Sequence, residues 1–523
     1  MKNVAYKGEM HIRHQDAKLR PAGASRRRAV IVGSGIGGLA TAAGLAKRGW
    51  DVEILEKNKS VGGRLGVEDT DGFRFDVGPT ILLFPEILRE VFRSLGENID
   101  EHLRLHQCTP NYRIQFGDQT SLTMWSDRTK LEKEVEQFSK GAWKGVETFL
   151  HFADENKRIA FSSFLRGTMS VKDMLSPRSL LGVVRSRSFQ SLDSVAQKWI
   201  HDPRLRLAFT FQTMYLGIAP VHAPALFGLL ASTETSEGVW HVEGGLGKIS
   251  KALAQIVEKQ GGRFTYGAEV ISLERKGKRV EGVRTRDGRS FSADLVVSNM
   301  DWPLFQTEVL GRTLPSSLET TSSGLMFLLG LNKTCPELHH HQLFFGSNPN
   351  EAFRDLFQRF EVPRDPSFYV ANPVASDPTM APAGKSALYV LVPVPRLREG
   401  GPDWTDANLT KGIREKIFSR LERIVPGFQA SIESERVRTP LDWRREFNLA
   451  NGSNFGLSHT LTQVGGFRPD HQDKEVENLF YVGASTQPAT GIPNVLLGSK
   501  FLLDRIGNLE RAWNRTDSAL HAN

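Results

Sequence analysis

Two hydrophobic rhythms follow one another near the start of the chain. Ala29-Val30-Ile31-Val32 is an unbroken apolar run that ends at Gly33, the pattern of a strand buried on both faces. From Leu39 to Arg48 the apolar positions move to helical spacing, with Leu39, Ala42, Ala43 and Ala46 on one face and Gly49 placed as the stop. Asp51-Val52-Glu53-Ile54-Leu55 then returns to a strand that ends in Glu56.

Similar alternation reappears far downstream. After Gly247, Ile249, Ala252, Leu253, Ile256 and Val257 form one helical face, and Gly261-Gly262 end it. Short strands are expected around Phe264, Val270-Ile271 and Val280–Val283, and the Asp287-Gly288 turn leads into Ala293–Asn299. Near the end, Asn478–Val482 reads as a strand entering the loop Gly483–Thr486. Gly491-Ile492-Pro493 then opens an apolar helix through Ile506, with Pro493 in its first turn. Strands alternating with helices predict an α/β fold, and 523 residues exceed one simple core, so two joined domains are expected.

Composition narrows the class. At 39% hydrophobic and 24% charged, the chain has the balance of an ordinary globular protein. Its net charge of +8 is concentrated: residues 2–28 hold eight Lys and Arg against Glu9 and Asp16, which accounts for six of those charges. The basic character therefore belongs to a tail over 1–27 and not to a nucleic-acid-binding surface. A solvated tail is the expectation; attraction to an anionic membrane and a transit peptide are the alternatives, the last disfavoured by Glu9 and Asp16. No apolar stretch follows the early charges as a secretory signal would require, and no run approaches the roughly 18 residues of a membrane span. Cys108 and Cys335 form no metal-binding pair, and a reducing, cytoplasmic setting is the simplest expectation. His339-His340-His341 invites a metal reading, but neighbours on a strand point to opposite faces and no partner cluster is evident, so no metal is expected.

The chemistry lies in the turns. Gly33, Gly35 and Gly38 follow a strand and open a helix, and an acid stands 23 residues after Gly33, at Glu56. This is a whole dinucleotide-binding unit: Gly33 for the turn, Gly35 for approach of a pyrophosphate and Gly38 for helix–strand packing. The helix N-terminus offers N–H groups to phosphate, and Glu56 suits ribose hydroxyls while repelling a 2′-phosphate. Six residues beyond Glu56 stands Gly62-Gly63-Arg64, a turn and guanidinium able to hold a second side of a pyrophosphate, followed by Phe73–Asp76 and Gly78-Pro79-Thr80.

With these motifs in this order, the sequence resembles the flavin amine oxidase and phytoene desaturase superfamily. The resemblance spans about residues 28–506, and in its later parts, including His339–Phe345, Asp377–Gly384, Leu391–Pro395 and Phe447–His459, it is to the phytoene desaturases. It implies a Rossmann-like FAD-binding domain, discontinuous over 28–105, 238–310 and 455–506, with an α+β substrate domain inserted over 106–237 and 311–454 and a polar tail at 507–523. It implies FAD contacts at Gly33, Gly35, Gly38, Glu56, Gly63 and Arg64. Val270 is expected to offer its backbone to adenine, and Gly483 and Ile492 to belong to the closing flavin motif. The activity implied is FAD-dependent introduction of double bonds into a long apolar isoprenoid such as phytoene. A peripheral membrane contact and an electron acceptor such as quinone or oxygen accompany it, since no second glycine motif for a nicotinamide is present.

The closing motif departs from the family at Gln487, where a His is usual, and Ala489, where a Gly is usual; both positions face the flavin in the family. A saturase, isomerase or oxidase of a retinoid, terpenoid or polyketide is therefore an alternative. A lipid-binding relative of Rab GDP-dissociation inhibitors is another, disfavoured by Glu56, Gly62-Gly63-Arg64 and the Gly483 motif. The apolar stretch from Asp202 to Ala231 is either packed core or a tunnel wall. The catalytic base is not identified: Glu234, Glu237 and His241 are near, but a solvated role is expected for each.

Overall fold

A computed structural model describes residues 27–165 and 167–520, so all but the last residue of the basic tail lies outside the described residues. Five parallel strands form one sheet in the order Leu479–Tyr481, Leu295–Ser298, Arg28–Val32, Asp51–Glu56, Arg263–Tyr266. Arg28–Val32 sits at its centre, with Ala29 opposite Leu295 on one side and Val52 on the other. Its continuous hydrophobic run follows from that position, because helices and a three-stranded antiparallel sheet of residues 270–292 cover the two faces.

Helix Ile36–Lys47 is buried along Gly37–Ala46 because helices Lys248–Lys259 and Ile492–Leu520 pack on it. The last helix runs past Ile506 to Leu520. At Glu510 it still accepts a hydrogen bond from the Trp50 indole, so the segment expected as a polar tail starts inside the fold.

Seven strands make the second sheet, in the order Ile432–Arg438, Ser323–Leu331, Ser386–Val394, Phe368–Ala371, His341–Phe344, Tyr112–Gln115, Ser121–Met124. Pairing is antiparallel except between His341–Phe344 and Tyr112–Gln115. Ser323–Leu331 shows why all nine of its residues are buried. Leu325, Phe327 and Leu329 meet Ile417, Phe418 and Leu421 of helix Ala407–Ile424, while Met326 and Leu328 meet Phe73 and Phe75 of the hairpin 67–76. Helices between Arg128 and Ser236 cover the far end of this sheet around Phe149, Phe209 and Phe211.

Close packing surrounds Asn299, which follows strand Leu295–Ser298. A β-carbon at Gly35 would stand 2.4 Å from Asn299 Oδ1, and one at Gly38 would stand 2.4 Å from the Gly33 carbonyl oxygen and 3.1 Å from Asn299 Cβ. Gly38 has backbone against it, which cannot yield as a flexible side chain can. Gly38→Ala is expected to lower the urea unfolding midpoint by the equivalent of about 1–3 kcal/mol, as overpacking does. Gly412→Ala, in helix Ala407–Ile424 with nothing within 4 Å of the added methyl, is expected to raise it by about 0.5–1 kcal/mol. Denaturant titration of the two variants checks both signs.

Candidate active site

One cavity of about 430 Å³ joins the two sheets. Its polar part begins at the carboxyl ends of the parallel strands. Gly33 takes φ +92°, and the N-terminal turn of helix Ile36–Lys47 follows. Glu56 is 5% exposed. Its Oε2 accepts from the Ser34 N–H (2.8 Å) and hydroxyl (2.7 Å), and its Oε1 from the Asn58 N–H (2.7 Å). A carboxylate oxygen accepts two bonds readily, so Oε1 keeps room for one more donor on the cavity side. Ala268, Glu269 and Val270 line the cavity beside it.

Gly62 and Gly63 have φ of +112° and +54°, and the Gly62 N–H donates to the Ser34 carbonyl (2.9 Å). The second glycine turn is thereby fastened to the first, and a β-carbon added at Gly63 would stand 3.6 Å from the Gly35 α-carbon. Arg64 donates from Nη1 to the Asn454 carbonyl (2.6 Å). Burial lowers its pKa and Asp301 partly offsets this. Its remaining N–H groups are available at the cavity wall.

Asn299–Asp301, Gly483 and Gly491–Val495 line the adjoining region. Beyond them the walls turn apolar: Phe211, Met214, Phe345, Phe353, Leu356 and Phe368 are among the lining residues. The stretch from Asp202 to Ala231 therefore serves both readings, since Phe209 and Ala219 are wholly buried while Phe211, Met214, Tyr215 and Leu230 line the cavity.

Eight of the nine residues expected from the sequence line this cavity: Gly33, Gly35, Glu56, Gly63, Arg64, Val270, Gly483 and Ile492. Gly38 does not; it is buried behind Gly33, where it sets helix–strand packing. Gly35 also carries more than one demand, because Asn299 already fills the space a side chain would take. Gln487 and Ala489 are not among the lining residues. The Gln487 side chain is turned the other way, accepting from the Met169 N–H (2.7 Å) and donating to the Met169 carbonyl (2.8 Å).

Two side chains expected at the surface are buried. Glu234 is 0% exposed, accepting from Tyr112 (2.6 Å) and Gln212 (3.1 Å), and desolvation pushes its pKa up to about 7. His241 pairs with Asp377 at 3.0 Å in the interior. Glu237 is at the surface, paired with Lys157. Alternation along a strand also fails for the histidines, because the strand begins at His341 and His340 lies before it. Their rings are 4.3 Å apart, with Cys108 Sγ 3.6 Å from His341 Nε2. Cys108, His340 and His341 offer ligand-type atoms within 4.8 Å of one another. Burial lowers the His341 pKa to about 3 and raises that of Cys108 to about 12, and His340 and His341 bond to Ser376 and Tyr369. The sequence drew attention to the histidines but gave no signal for Cys108, which comes from a distant segment.

The family model described as flavin containing amine oxidoreductase matches residues 36–499. A zeta-carotene-forming phytoene desaturase of Myxococcus xanthus is 42% identical over 488 residues, covering 92% of this chain and 94% of that protein. A phytoene desaturase of Fusarium fujikuroi is 35% identical over 511 residues, covering 92% and 89%. Among solved structures, an oxidoreductase of Methanosarcina mazei shares the fold with a TM-score of 0.60 at 17% identity, over 91% of this chain and 100% of that one. This chain thus belongs to the phytoene desaturase branch of the flavin-containing amine oxidoreductases, and FAD is its cofactor.

Proposed function

We propose that this protein introduces double bonds into a long acyclic isoprenoid of the phytoene class, which it takes from a lipid bilayer. The observation that carries this reading is the cavity itself, which joins a glycine-and-arginine cradle to an aromatic and aliphatic chamber. The long full-length likeness to desaturases supports it, and the alternatives of saturase, isomerase or non-catalytic lipid binder are not favoured. Gln487 and Ala489, which raised the saturase, isomerase or oxidase alternative, are not among the lining residues of the cavity.

The residues present fit FAD. Glu56 has an open acceptor position suited to a ribose hydroxyl, and Val270 begins the strand beside it. The Gly33–Gly35 loop and the spare donors of Arg64 suit a pyrophosphate. Gly483 and the N-terminus of helix Ile492–Leu520, at Ile492, suit a group that gains negative charge on reduction. When bound, FAD supplies the two-electron acceptor for a hydride from an allylic carbon. The chain's own task is to hold a flexible apolar molecule against that acceptor and keep water out. Phe211, Phe345, Phe353 and Phe368 provide the surface for this. Quinone dissolved in the same bilayer, or oxygen, would reoxidise the cofactor.

A membrane route is supported by one surface. Helices Val171–Met174 and Pro177–Arg185 leave Leu175 67%, Val184 67% and the following Phe189 74% exposed, with Leu180, Leu181 and Phe467 also open. Lys172, Arg178, Arg185 and Arg187 are interspersed among them. Apolar side chains among bases suit an interface of anionic lipid. The surface adjoins the cavity: Gly182 is against Ile159 and Phe164, and neighbouring Phe161 packs on Phe84, a lining residue. Gln487 anchors the near end of this segment through Met169. Among the described residues no helix is long and apolar enough to cross a membrane.

Three outcomes are expected. The purified protein shows flavin absorption that bleaches under anaerobic incubation with phytoene in liposomes while a conjugated polyene appears; bands that stay oxidised defeat the phytoene reading. Arg64→Ala weakens FAD retention by roughly 10- to 100-fold, the loss of a charge-assisted contact, as measured by flavin release on dilution. The double variant Leu181→Glu, Val184→Glu keeps its flavin spectrum but no longer floats with anionic liposomes; unchanged flotation would remove this surface from the membrane contact.

A further inference from the structure

Each desaturation must dispose of a proton inside an apolar chamber. The carboxylates that line the cavity are already engaged: Glu56 by Ser34 and Asn58, Glu269 by Arg286, Asp301 by Ala450 and Ser485, and Glu446 by Arg438. Tyr369 donates or accepts with Thr80 and His341, and the burial that takes His341 to about 3 leaves that imidazole a weak base. One acid near the apolar walls is different. Glu234 Oε2 takes the bonds from Tyr112 and Gln212, while Glu234 Oε1 is buried with no hydrogen-bond partner. The Tyr215 hydroxyl is also buried, with no neighbour to bond to other than Glu234, and Tyr215 lines the cavity. Burial first, and then the neighbouring Glu234 carboxylate, raises the Tyr215 phenol well above its ordinary value, and the two side chains are hydrogen-bonding neighbours.

A buried carboxylate oxygen beside a buried hydroxyl, neither of them held by any other group, forms a path by which a proton can pass from the cavity wall to Glu234. We propose that Glu234, acting through Tyr215, receives the proton that each desaturation releases from the substrate. This rests on the desaturase reading above. Hydrogen leaves one allylic carbon with its electron pair to the flavin. The neighbouring C–H bond then breaks, and its electrons form the new π bond. Its proton passes to the Tyr215 oxygen while the phenol's own proton moves to Glu234 Oε1. The substrate loses two electrons, the flavin gains two, and Glu234 is left protonated until it returns the proton to water.

The surroundings suit an acceptor that works near neutrality. Tyr112 faces Glu234 from strand Tyr112–Gln115, and Gln212 and Tyr215 face it from the turn Phe211–Leu216. Asn111 donates to the Glu234 backbone carbonyl. Helix Trp143–Ile159 packs on Glu234's helix, but its Asp154 is taken by Arg128 and Ser232 and its Lys157 by Glu237. No cation from these elements is paired with Glu234. Desolvation therefore dominates and carries its pKa up to about 7, where it can take and return a proton under ordinary conditions.

The sign follows from the acceptor being the ionised form. In FAD-loaded enzyme given phytoene in liposomes without oxygen, the rate of flavin bleaching should rise with pH through about 7. Glu234→Gln, which keeps shape and can still receive the Tyr112 bond, should lower that rate by roughly 100-fold or more and abolish this limb of the profile. Infrared titration of the holoenzyme without substrate supplies a readout apart from turnover. A protonated-carboxyl band that disappears as pH rises through about 7 should be present in the wild type and in Tyr215→Phe, and absent from Glu234→Gln. Tyr215→Phe should share the rate loss. An active wild type whose Glu234→Gln variant keeps the same rate and pH limb overturns the proposal alone, as does a titration without that band. A flavin-loaded wild type that leaves phytoene unchanged overturns the desaturase reading and this role with it.

Discussion

The carboxamide of Asn299 holds together three stretches of chain that are far apart in sequence. Its Nδ2 donates to the Val482 carbonyl at 2.7 Å, its Oδ1 fills the space beside the Gly35 α-carbon, and its Cβ presses on Gly38. A side chain at either glycine, or a bulkier group at 299, would push the first helix away from the central strand. Three polar parts of the cavity wall adjoin this junction. The second glycine turn is tied to Ser34, strand Leu295–Ser298 leads through Asn299 to Asp301, and Val482 leads into Gly483.

A buried charge held by carbonyl groups, with the Asp301 carboxylate acting on it, reinforces the same region. Arg468 is 2% exposed and donates to the carbonyls of Leu457, Ser458, Gln463, Ala484 and Thr486. Desolvation lowers its pKa to about 9, which leaves it protonated at neutral pH. A buried guanidinium is tolerable because its donors are used. What it gives in return is a defined path for two irregular segments that have no sheet to order them. Asp301 acts in the opposite sense, collecting the Ala450 N–H and the Ser485 hydroxyl.

The cavity then works by contrast. At one end backbone N–H groups, a guanidinium and carboxylates converge; at the other, side chains come mainly from a sheet and helices that have no polar task. Hydrogen-bonded tyrosines mark the boundary: Tyr369 leads back to buried histidines, and Tyr215 to Glu234. Low dielectric makes the second pair the more consequential, because burial raises a carboxyl toward neutrality and drives an imidazole away from it.

The local motifs were legible in the linear chain because they are governed by local physics. A β-branched run, a glycine turn, a helical face and a terminal acid lie within 28–56 and need no distant partner to be recognised. The same holds for Gly62-Gly63-Arg64 and for the strand and helix that flank Gly483. Burial of polar side chains was decided elsewhere. Glu234 and His241 look like ordinary surface residues until a sheet strand and residue 377 close over them. His340 and His341 share one side only because the strand starts between them. Gln487 faces Met169 and not the cavity, a choice made by a segment more than 300 residues earlier. Spacing along a chain sets backbone periodicity, whereas desolvation and hydrogen-bond partners depend on which distant segments arrive. The sequence by itself therefore determined the cradle, and only the tertiary structure decided which acid lies next to the apolar chamber with an oxygen left to fill.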